Sequence, residues 1–409
     1  MPRRYSRMGI GGDGSTLNLD FTKMSALDSR FTFTRSTTAT YINSSGYVAS
    51  AAINEARFEC DATTLAAKGL LIEGSATNLL LQSESLATSP WSAQNGATVA
   101  NVSLTNPANG ATSTQITTGG AGSNLVGQTP TYGAAGAHTL SIWVRSGTAT
   151  RISIGIYSGG FVTGTISVLS GSATVTGTDL FTVTNLTSTW TKLQIVYTTL
   201  SAGAVLIYPD TPSPTVGLTV YAWGAQLETG KGASSYIPTT TAQVTKAADF
   251  CKMTEAASQM AWLQKIDTCT FFVDFTPLTQ RGAFNSLVRL STTTSQGHEF
   301  YVYDTVVGVS LTTVTKITAS TNQEQTLAQS MALNSRHKVA YSIDATNGFR
   351  SHNGSTISAA NPIALPTGTR STFGILSSGF DSGAMSGWIR AFKYYPTALT
   401  QAQINGLTT

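Results

Sequence analysis

Carboxylate side chains are the groups in this sequence that could catalyse hydrolysis, and they are sparse. The chain has 20 acidic residues among 409. Cleavage of a glycosidic bond needs two carboxylates that face each other across the bond, and the sequence has no Glu-x-Asp-x-x-Glu-like run that would place such a pair on one strand. Glu228 is the best candidate for a buried carboxylate, and we expect it to be a hydrogen-bonded structural group. The sequence therefore predicts no catalytic residue and a protein that is not an enzyme.

Motifs for metals and cofactors are also missing from the sequence. The four histidines lack the spacing of metal ligands. No P-loop, Gly-x-Ser-x-Gly elbow or His-Glu-x-x-His motif is present. We therefore expect neither a cofactor nor a bound metal. Calcium stays open as an alternative, because Asp304, Asp344 with Asn347, and Asp381 lie in turn-like sequence and could supply oxygen ligands.

Aromatic rings can bind a sugar through its C–H faces, so aromatic residues are the candidates for ligand contact. The candidates for contact with a glycan are Trp143, Tyr157, Tyr208 and Tyr303, which lie in strand-like segments. A Trp within a strand is more often part of a core or an interface than of a ligand site. Both interpretations stay open for these four residues.

Composition indicates a folded, β-rich protein. Charged residues make up 11% of the sequence, against about 25% in average proteins, and its many branched and aromatic residues suit a pleated surface. The net charge is only +4. The basic cluster of Arg3, Arg4 and Arg7 is typical of a solvated end, with a tether to a partner protein as the alternative. Nucleic-acid binding is not predicted, because it usually requires a larger basic patch.

Cysteine usage and hydropathy indicate where the protein folds. Cys60, Cys251 and Cys269 are far apart and odd in number, so we expect buried, reduced thiols in a protein that folds in a cytoplasm. The sequence shows no apolar signal-peptide segment, and no run approaches the roughly 20 apolar residues of a membrane span. We therefore expect no membrane insertion.

The sequence divides into three regions and a connector that differ in composition and in the spacing of apolar residues. Residues 1–88 contain short strand-like runs but too little sequence for a self-sufficient sandwich. Residues 89–240 and 266–409 alternate apolar and polar positions between Gly, Ser and Thr turns, as is typical of antiparallel sandwiches. Residues 241–265 form a connector in which a helix capped by Thr254 is predicted. The predicted fold class is mainly β: an N-terminal attachment region followed by two antiparallel β-sandwich domains of jelly-roll or lectin-like type.

The most informative segment is the run Val-Tyr-Ala-Trp-Gly-Ala-Gln-Leu-Glu at residues 220–228. Its period of two predicts a strand with two differently used faces. Gly224 has no side chain, which predicts that a neighbouring backbone crosses closely there. Gly230 and Gly232 predict a turn, and the Tyr-Ile-Pro sequence at 236–238 predicts an extended exit from the domain.

Three motifs near the start of the chain together resemble the N-terminal region of phage head-spike or head-fibre proteins. They are Phe-Thr-Phe-Thr-Arg-Ser-Thr-Thr-Ala-Thr at 31–40, Lys-Gly-Leu-Leu-Ile-Glu at 68–73 and Thr-Asn-Leu-Leu-Leu at 77–81. The strands that contain Trp143 and Trp223 resemble the carbohydrate-binding jelly-roll domain that follows in that family.

The third region is similar to concanavalin A/laminin-G-like sandwiches. Its closing Ile-Arg-Ala-Phe-Lys-Tyr-Tyr-Pro-Thr-Ala-Leu-Thr at 389–400 resembles that family's last strand and short helix. The combined resemblance implies a structural fibre or spike on the surface of a tailed bacteriophage virion, made in the cytoplasm of the host bacterium. It implies attachment through the N-terminal region, with the head favoured, and reversible adhesion to host surface glycans. Fold analogy does not identify the glycan.

Two other functions stay open beside this one. The first is a tail fibre with the receptor-binding role, and the second, which the sparse acids disfavour, is a glycan depolymerase. We also predict a homotrimer, because the short N-terminal region and the low charge leave weakly polar surfaces that copies of the chain can bury against each other. The other expected partners are phage capsid or tail structural proteins and a host cell-surface glycan.

Overall fold

The structure is a computed structural model that describes most of the chain. The described residues are 13–120, 125–149, 151–157, 161–166, 180–185, 190–209, 215–254, 263, 268–279, 284–292, 297–305, 308–316, 322–344, 346, 348–360, 370–375 and 386–409.

Short β-strands make up most of the regular structure. The first part of the chain contains β1 (Leu17–Asp20), a 3-10 helix (Phe21–Lys23), β2 (Thr32–Thr34), β3 (Ala39–Ile42), β4 (Val48–Ala51), β5 (Arg57–Cys60), β6 (Ala67–Ile72) and β7 (Ala76–Asn78). The middle contains β8 (Ser92–Gln94), β9 (Thr98–Ser103), β10 (Thr112–Thr117), β11 (Leu125–Gln128), β12 (Gly136–Ser146), β13 (Ile152–Tyr157), β14 (Phe161–Ile166), β15 (Leu180–Asn185), β16 (Thr191–Leu200), β17 (Ala204–Pro209) and β18 (Thr219–Thr229). The last part contains β19 (Val244–Lys246), β20 (Phe250–Thr254), β21 (Cys269–Thr279), β22 (Phe284–Thr292), β23 (Gly297–Thr305), β24 (Gly308–Lys316), β25 (Asn322–Met331), β26 (His337–Ile343), β27 (Gly348–His352), β28 (Ser355–Ala360), β29 (Arg370–Ile375), β30 (Ser386–Tyr395) and the helix α1 (Gln401–Thr408).

The middle strands form an antiparallel sandwich, here called the middle sandwich. Its six-stranded sheet has the order β15-β16-β12-β18-β10-β9, and its five-stranded sheet has the order β14-β13-β17-β11-β8. Alternation along β12 directs Ile142 and Val144 into a core that also contains Ile154 and Ile207 of the five-stranded sheet. Burial of each such side chain stabilises the fold by about 1.5–3 kcal/mol.

A second antiparallel sandwich, here called the C-terminal sandwich, is built from distant parts of the chain. Its eight-stranded sheet has the order β28-β27-β26-β21-β30-β6-β5, with β1 also paired to β30, and its seven-stranded sheet has the order β2-β20-β29-β22-β23-β24-β25. The rings of Phe373 and Phe392, one from each sheet, lie 4.8 Å apart and share a core with Leu70 and Ile72 of β6. The two sandwiches confirm the prediction of a mainly β, antiparallel fold. Three of the strands within residues 17–72, namely β1, β2 and β6, pair with strands beyond the predicted boundary at residue 88, and the boundaries themselves stay predictions.

Two short strands occupy the first half of the predicted connector. β19 pairs with β7, and β20 pairs with β2 and β29. Thr254, the expected helix cap, is the last residue of β20, and nearly all of the predicted helix lies outside the described residues. The other expected helix, at the C-terminal end, is confirmed as α1, and it begins with a capping box formed by Thr400 and Gln403.

Gly224 lies at a bulge in β18. The register between β12 and β18 shifts between the pair Ser141–Gln226 and the pair Trp143–Trp223, and Gly224 has a φ of 68°. A Cβ atom at this position would lie 2.7 Å from Cε3 of Trp143. Glycine is therefore required by an indole ring and by a left-handed backbone, and the prediction that another backbone crosses there is wrong.

Two of the three cysteines have the burial predicted for them. Cys251 and Cys269 are buried, whereas Cys60 is half-buried. Burial raises the pKa of the Cys251 thiol. In the described part of the chain, every helix is too short or too polar to cross a lipid bilayer.

Candidate functional site

An aromatic row lies on the outer face of the six-stranded sheet. Trp143 on β12 is in register with Lys192 on β16 and with Trp223 on β18. Residues opposite each other in antiparallel strands project to the same side of a sheet, and Ile142 and Val144 fill the opposite, core side. Trp143, Trp223 and Lys192 therefore face away from the core of the middle sandwich.

The outer face of β5, β6 and β30 lies opposite this row. Leu70 and Ile72 of β6 point into the core of the C-terminal sandwich, so the residue between them, Leu71, points outward. Trp388 on β30 pairs with Leu71, and Glu59 lies on the neighbouring strand β5. The two sandwiches thus turn polar and aromatic outer faces toward each other.

Between these faces lies a cleft of about 120 Å³, here called the interface cleft. The residues of its wall that matter below are Glu59, Lys68, Leu71, Glu73, Trp143, Lys192, Gln194, Ser235, Asn334 and Trp388. Its wall combines two indole rings with charged and amide groups. Apolar walls with a few placed polar groups are typical of sites for small ligands.

The indole ring of Trp143 is held in place by its neighbours. Its centroid lies 5.4 Å from that of Trp223 and 5.4 Å from that of Tyr236, and both pairs are edge-to-face. The hydroxyls of Tyr236 and Ser83 are 2.7 Å apart, which fixes the tyrosine in turn. A ring that is already ordered loses little conformational freedom when a ligand binds.

A lysine ammonium lies over each indole ring of the cleft. Lys192 Nζ is 4.7 Å from the ring centre of Trp143, and Lys68 Nζ is 4.4 Å from that of Trp388. Lys68 also forms an ion pair with Asp61 at 3.2 Å. Cation–π contacts of this kind contribute about 0.5–2 kcal/mol each. They hold two positive charges at the wall of the cleft.

Two buried polar groups of the interface cleft have no hydrogen-bond partner among the described residues. They are the indole N–H groups of Trp143 and Trp388, whose Nε1 atoms meet no acceptor. The carboxylate of Glu59 and the ammonium of Lys192 are half-buried in the same wall, and each is influenced by the charge of the other. Buried polar groups are nearly always paired, and an unpaired donor costs about 1–3 kcal/mol. The cleft therefore has two unused donors beside a lysine and a glutamate that a ligand can reach.

Burial controls the protonation of Glu59. Loss of solvent raises the pKa of Glu59 to about 7, and the negative charge of Glu73 adds to this rise, against the opposing effects of Lys68, Arg57 and Lys192. Burial also lowers the pKa of Lys192, and Glu59 opposes that change. At neutral pH, Glu59 is therefore a mixture of carboxylic acid and carboxylate.

Glu73, the second carboxylate at the cleft, is fully engaged by protein groups. Its Oε1 accepts a hydrogen bond from the backbone N–H of Ser235 at 2.6 Å, and its Oε2 accepts one from the Ser235 hydroxyl at 2.6 Å. Arg57 lies 2.8 Å and Lys246 3.5 Å from Oε2. Burial alone would raise the pKa of Glu73, but Lys246, Arg57 and Ser235 outweigh burial and lower it. Glu73 is therefore a fixed anion.

Asp249 extends these contacts into a buried ion network, defined as Arg35, Arg57, Glu73, Lys246 and Asp249. Asp249 pairs with Arg35 at 3.1 Å and with Arg57 at 2.5 Å, and all three side chains are fully buried. It also accepts a hydrogen bond from the backbone N–H of Glu73 at 2.8 Å. The network ties the first part of the chain to the connector and fixes one wall of the interface cleft.

The two carboxyl groups of the cleft differ in the chemistry open to them. A glycosidase needs a protonated acid and a second carboxylate that can attack the sugar or activate a water. Glu59 has a pKa suited to such an acid, but Glu73 is neutralised by Arg57 and Lys246 and hydrogen-bonded by Ser235. The described wall of the cleft thus offers one free carboxyl group together with ring faces and hydrogen-bond donors.

The four aromatic residues predicted to contact a glycan do not lie together. Trp143 lines the interface cleft but is 2% exposed. Tyr157 on β13 is 47% exposed and Tyr208 on β17 is buried, and both belong to the five-stranded sheet. The side chain of Tyr303, on β23, lies outside the described part of the chain. Contact of these residues with a glycan stays a prediction.

The sequence does not single out the other groups of the cleft. Alternation on β16 puts Leu193 and Ile195 in the core and Lys192 on the other face of the sheet, so the sequence pattern could have predicted that Lys192 points outward. No sequence pattern predicts that Glu59 and Trp388 lie on the outer face of a different sandwich that meets this one.

Glu228 has the structural role predicted for it. Its side chain is fully buried. It accepts hydrogen bonds from Ser234 N at 2.6 Å, from Ser234 Oγ at 2.7 Å and from Gln226 Nε2 at 2.8 Å. These contacts hold the chain where it leaves β18.

Candidate metal ligands do not cluster in the described residues, where no group of three or more His, Cys, Asp or Glu could hold an ion. Among the calcium candidates, Asp344 accepts hydrogen bonds from the backbone N–H and the hydroxyl of Thr346, each at 2.7 Å. Asn347, Asp381 and the side chain of Asp304 lie outside the described part of the chain. Calcium binding stays an untested alternative.

Comparisons with known proteins find solved structures with weak similarity in fold, and they find no related sequence family. No protein-family model matches the sequence, and no curated protein matches it. The carbohydrate-binding module CBM40 of the Ruminococcus gnavus IT-sialidase, solved with α2,3-sialyllactose, is 16% identical with a TM-score of 0.31, over 37% of this chain and 88% of that one. The heptameric SAP-like pentraxin of Limulus polyphemus is 16% identical with a TM-score of 0.29, over 35% and 70%. The binding domain of botulinum neurotoxin serotype D/C is 14% identical with a TM-score of 0.31, over 39% and 40%. Matches at this level identify no ligand for this chain.

Proposed function

We propose that the protein is a non-enzymatic fibre or spike on the surface of a tailed bacteriophage virion, and that it adheres reversibly to host surface glycans through the interface cleft. The observation that carries the binding proposal is the unused hydrogen-bonding capacity beside two indole rings in one cleft. A sugar ring offers C–H faces to aromatic rings and hydroxyls to polar groups, so it matches both features.

The size and number of such sites suit reversible adhesion. A cleft of about 120 Å³ is small beside the roughly 300–1,000 Å³ of most ligand pockets, so it would contact one side of a single sugar unit, and a wet, polar contact of that size gives a weak single-site affinity. Several copies of the chain on one particle, as homotrimers or as repeated spikes, would raise the overall affinity through effective concentration. Adhesion would then be strong for the particle and reversible for each site.

The virion assignment is supported by the motifs at 31–40, 68–73 and 77–81, which resemble the N-terminal region of phage head-spike and head-fibre proteins. Attachment through the N-terminal region, with the head favoured, places the protein on the virion surface after synthesis in the bacterial cytoplasm. The alternative is that the protein is a tail fibre, which would use the same cleft but attach to the phage tail. Labelling the protein on intact particles and imaging them by electron microscopy separates head from tail, and particles without label overturn the virion assignment.

A glycan depolymerase is the second candidate, and one observation favours it: Glu59 is half protonated near neutral pH, as a general acid requires. The engagement of Glu73 by Arg57 and Lys246 disfavours it, because the second carboxylate is no longer available to the sugar. The two candidates differ in one measurable product, which is a shortened glycan.

The test is retention of the full chain on immobilised host capsular polysaccharide or lipopolysaccharide, followed by the length distribution of the glycan. We expect retention and unchanged chain length. Lys192→Met keeps most of the side-chain volume but removes the charge over Trp143, so it should reduce retention by about tenfold or more. Lys23→Met, at an exposed ion pair with Asp20, is the matched control and should be retained like the wild type. Shortened glycan would establish the depolymerase, and no retention would overturn the adhesion proposal.

A further inference from the structure

We propose that the interface cleft selects a sugar unit that bears a carboxylate, such as a uronate, and places this carboxylate between Lys192 and Glu59. The inference rests on the proposed glycan binding and adds the class of sugar. It follows from which polar groups in the cleft are already engaged and which are not.

Unused donors outnumber unused acceptors in the cleft. The indole N–H groups of Trp143 and Trp388 find no acceptor in the described part of the chain, and the half-buried ammonium of Lys192 lies over the ring of Trp143. On the acceptor side, Glu73 is engaged by Arg57 and Ser235, which leaves the carboxyl group of Glu59 and the amide oxygens of Gln194 and Asn334, whose NH₂ groups are donors as well. The ligand that complements this set is rich in acceptors and poor in positive charge.

A carboxylate meets that requirement better than a hydroxyl does. Its two oxygens can accept about four hydrogen bonds, and hydrogen bonds to an ionised acceptor are roughly twice as strong as those between neutral groups. Lys192 lies over the ring of the buried Trp143 at 4.7 Å, whereas Trp388 on the facing wall is half-buried, so one sugar can contact Trp388 while its carboxylate contacts the ammonium of Lys192. A neutral hexose would leave part of this donor set unpaired.

Glu59 makes the selection depend on pH. As a carboxylate it would repel an acidic sugar, whereas as a carboxylic acid it donates a hydrogen bond to the sugar carboxylate. The charged or titratable groups around it are Arg57, Cys60, Lys68, Glu73 and Lys192. The pKa of Arg57 is raised, that of Cys60 is raised and that of Glu73 is lowered. Glu59, with a pKa of about 7, changes charge between pH 5.5 and pH 8, and burial lowers the pKa of the neighbouring Lys192, so the Glu59→Gln variant isolates the contribution of the carboxyl group.

The expected size of the pH effect follows from the fraction of Glu59 that is protonated. If the acid form alone binds the acidic sugar, the apparent affinity falls with that fraction. For a pKa of about 7, nearly all molecules are competent at pH 5.5 and roughly one in eleven at pH 8. The affinity for an acidic sugar should therefore fall by about tenfold over this range.

The experiment measures the dissociation constants of D-glucuronate and D-glucose for the full chain by calorimetry, at pH 5.5 and pH 8 and at constant ionic strength. D-glucuronate should bind at least about tenfold more tightly than D-glucose at pH 5.5, and this preference should shrink by about tenfold at pH 8. Glu59→Gln should abolish the pH dependence, and Lys192→Met should abolish the preference for D-glucuronate. Lys23→Met is the control and should behave as the wild type.

The outcomes separate this inference from the function on which it rests. Equal affinities for the two sugars, or no measurable binding of D-glucuronate, overturn the inference, while retention of the full chain on host polysaccharide would still support adhesion. If the full chain is not retained on host polysaccharide either, the proposed function falls as well. A pH dependence that persists in Glu59→Gln contradicts the role of Glu59.

Discussion

Substitution of Asp249 by asparagine should cost more stability than any change at an exposed charge. The carboxylate of Asp249 contacts Arg35 at 3.1 Å and Arg57 at 2.5 Å, and the side chains of all three are fully buried. In Asp249→Asn the amide can accept through Oδ1 alone, so its NH₂ group would face an arginine N–H or the N–H of Glu73, which also donates to Asp249. Breaking a buried ion pair by removing one partner costs about 3–5 kcal/mol, because the remaining charge stays buried.

Urea unfolding followed by tryptophan fluorescence measures this loss as a shift of the midpoint at constant slope. Asp61→Asn is the matched control, because Asp61 pairs with Lys68 at 3.2 Å with side chains 31% and 24% exposed. Loss of such a partly solvated pair should cost about 0–1 kcal/mol, because an asparagine Oδ1 can still accept the backbone N–H groups of Thr63 and Thr64. If Asp249→Asn is destabilised by no more than the control, the buried ion network does not hold the structure together in the way argued here.

Other perturbations test separate parts of the structure. Gly224→Ala should lower the free energy of unfolding by about 2–4 kcal/mol, since the new Cβ would meet the ring of Trp143 at 2.7 Å. Gly217→Ala is the control, because Gly217 has a similar positive φ but open space around it, and this change should cost about 1 kcal/mol. Equal midpoints in urea for the two variants would contradict the packing argument. Because the pKa of Glu73 is lowered in the folded protein, its contribution to stability is complete above the ordinary glutamate value of 4.5 and is lost as pH falls below it. Thermal midpoints should therefore fall less steeply with acid in Glu73→Gln than in the wild type, and parallel curves would argue against this. Thr400→Ala should lower the stability by about 1 kcal/mol through loss of the capping box of α1, and an unchanged urea midpoint would show that the cap is dispensable.

Sequence patterns predict local structure in this protein well and the meeting of distant strands poorly. Alternation predicts the strands of the middle sandwich and places Ile142 in the core and Trp143 outside it. The buried role of Glu228 also follows from the sequence, because a carboxylate between apolar positions needs donors nearby. In contrast, the neighbours of Gly224 depend on a bulge that shifts the register by one residue, and periodicity does not reveal such a shift.

In the interface cleft, too, local features follow from the sequence and contacts between distant strands do not. The direction of Lys192 follows from the alternation of β16, in which Leu193 and Ile195 point into the core. Its neighbour across the cleft, Glu59, lies more than a hundred residues earlier in a strand of the other sandwich. Side-chain direction is a local property, but the contact between two outer faces depends on tertiary packing, and a raised pKa such as that of Glu59 exists after that packing is complete.

The pairing of the first strands with the last one has a consequence for folding during synthesis. Leu17 pairs with Tyr394, and Leu70 pairs with Ile389, so the eight-stranded sheet closes after β30 has left the ribosome. At about 5–20 residues per second, β6 waits roughly 15–65 s for its partner, whereas every strand of the middle sandwich is released well before then. Unpaired strands with apolar faces are prone to aggregate in such an interval. The yield of folded protein should therefore depend on the rate of translation and on chaperones that cover β1, β5 and β6 until the chain is complete.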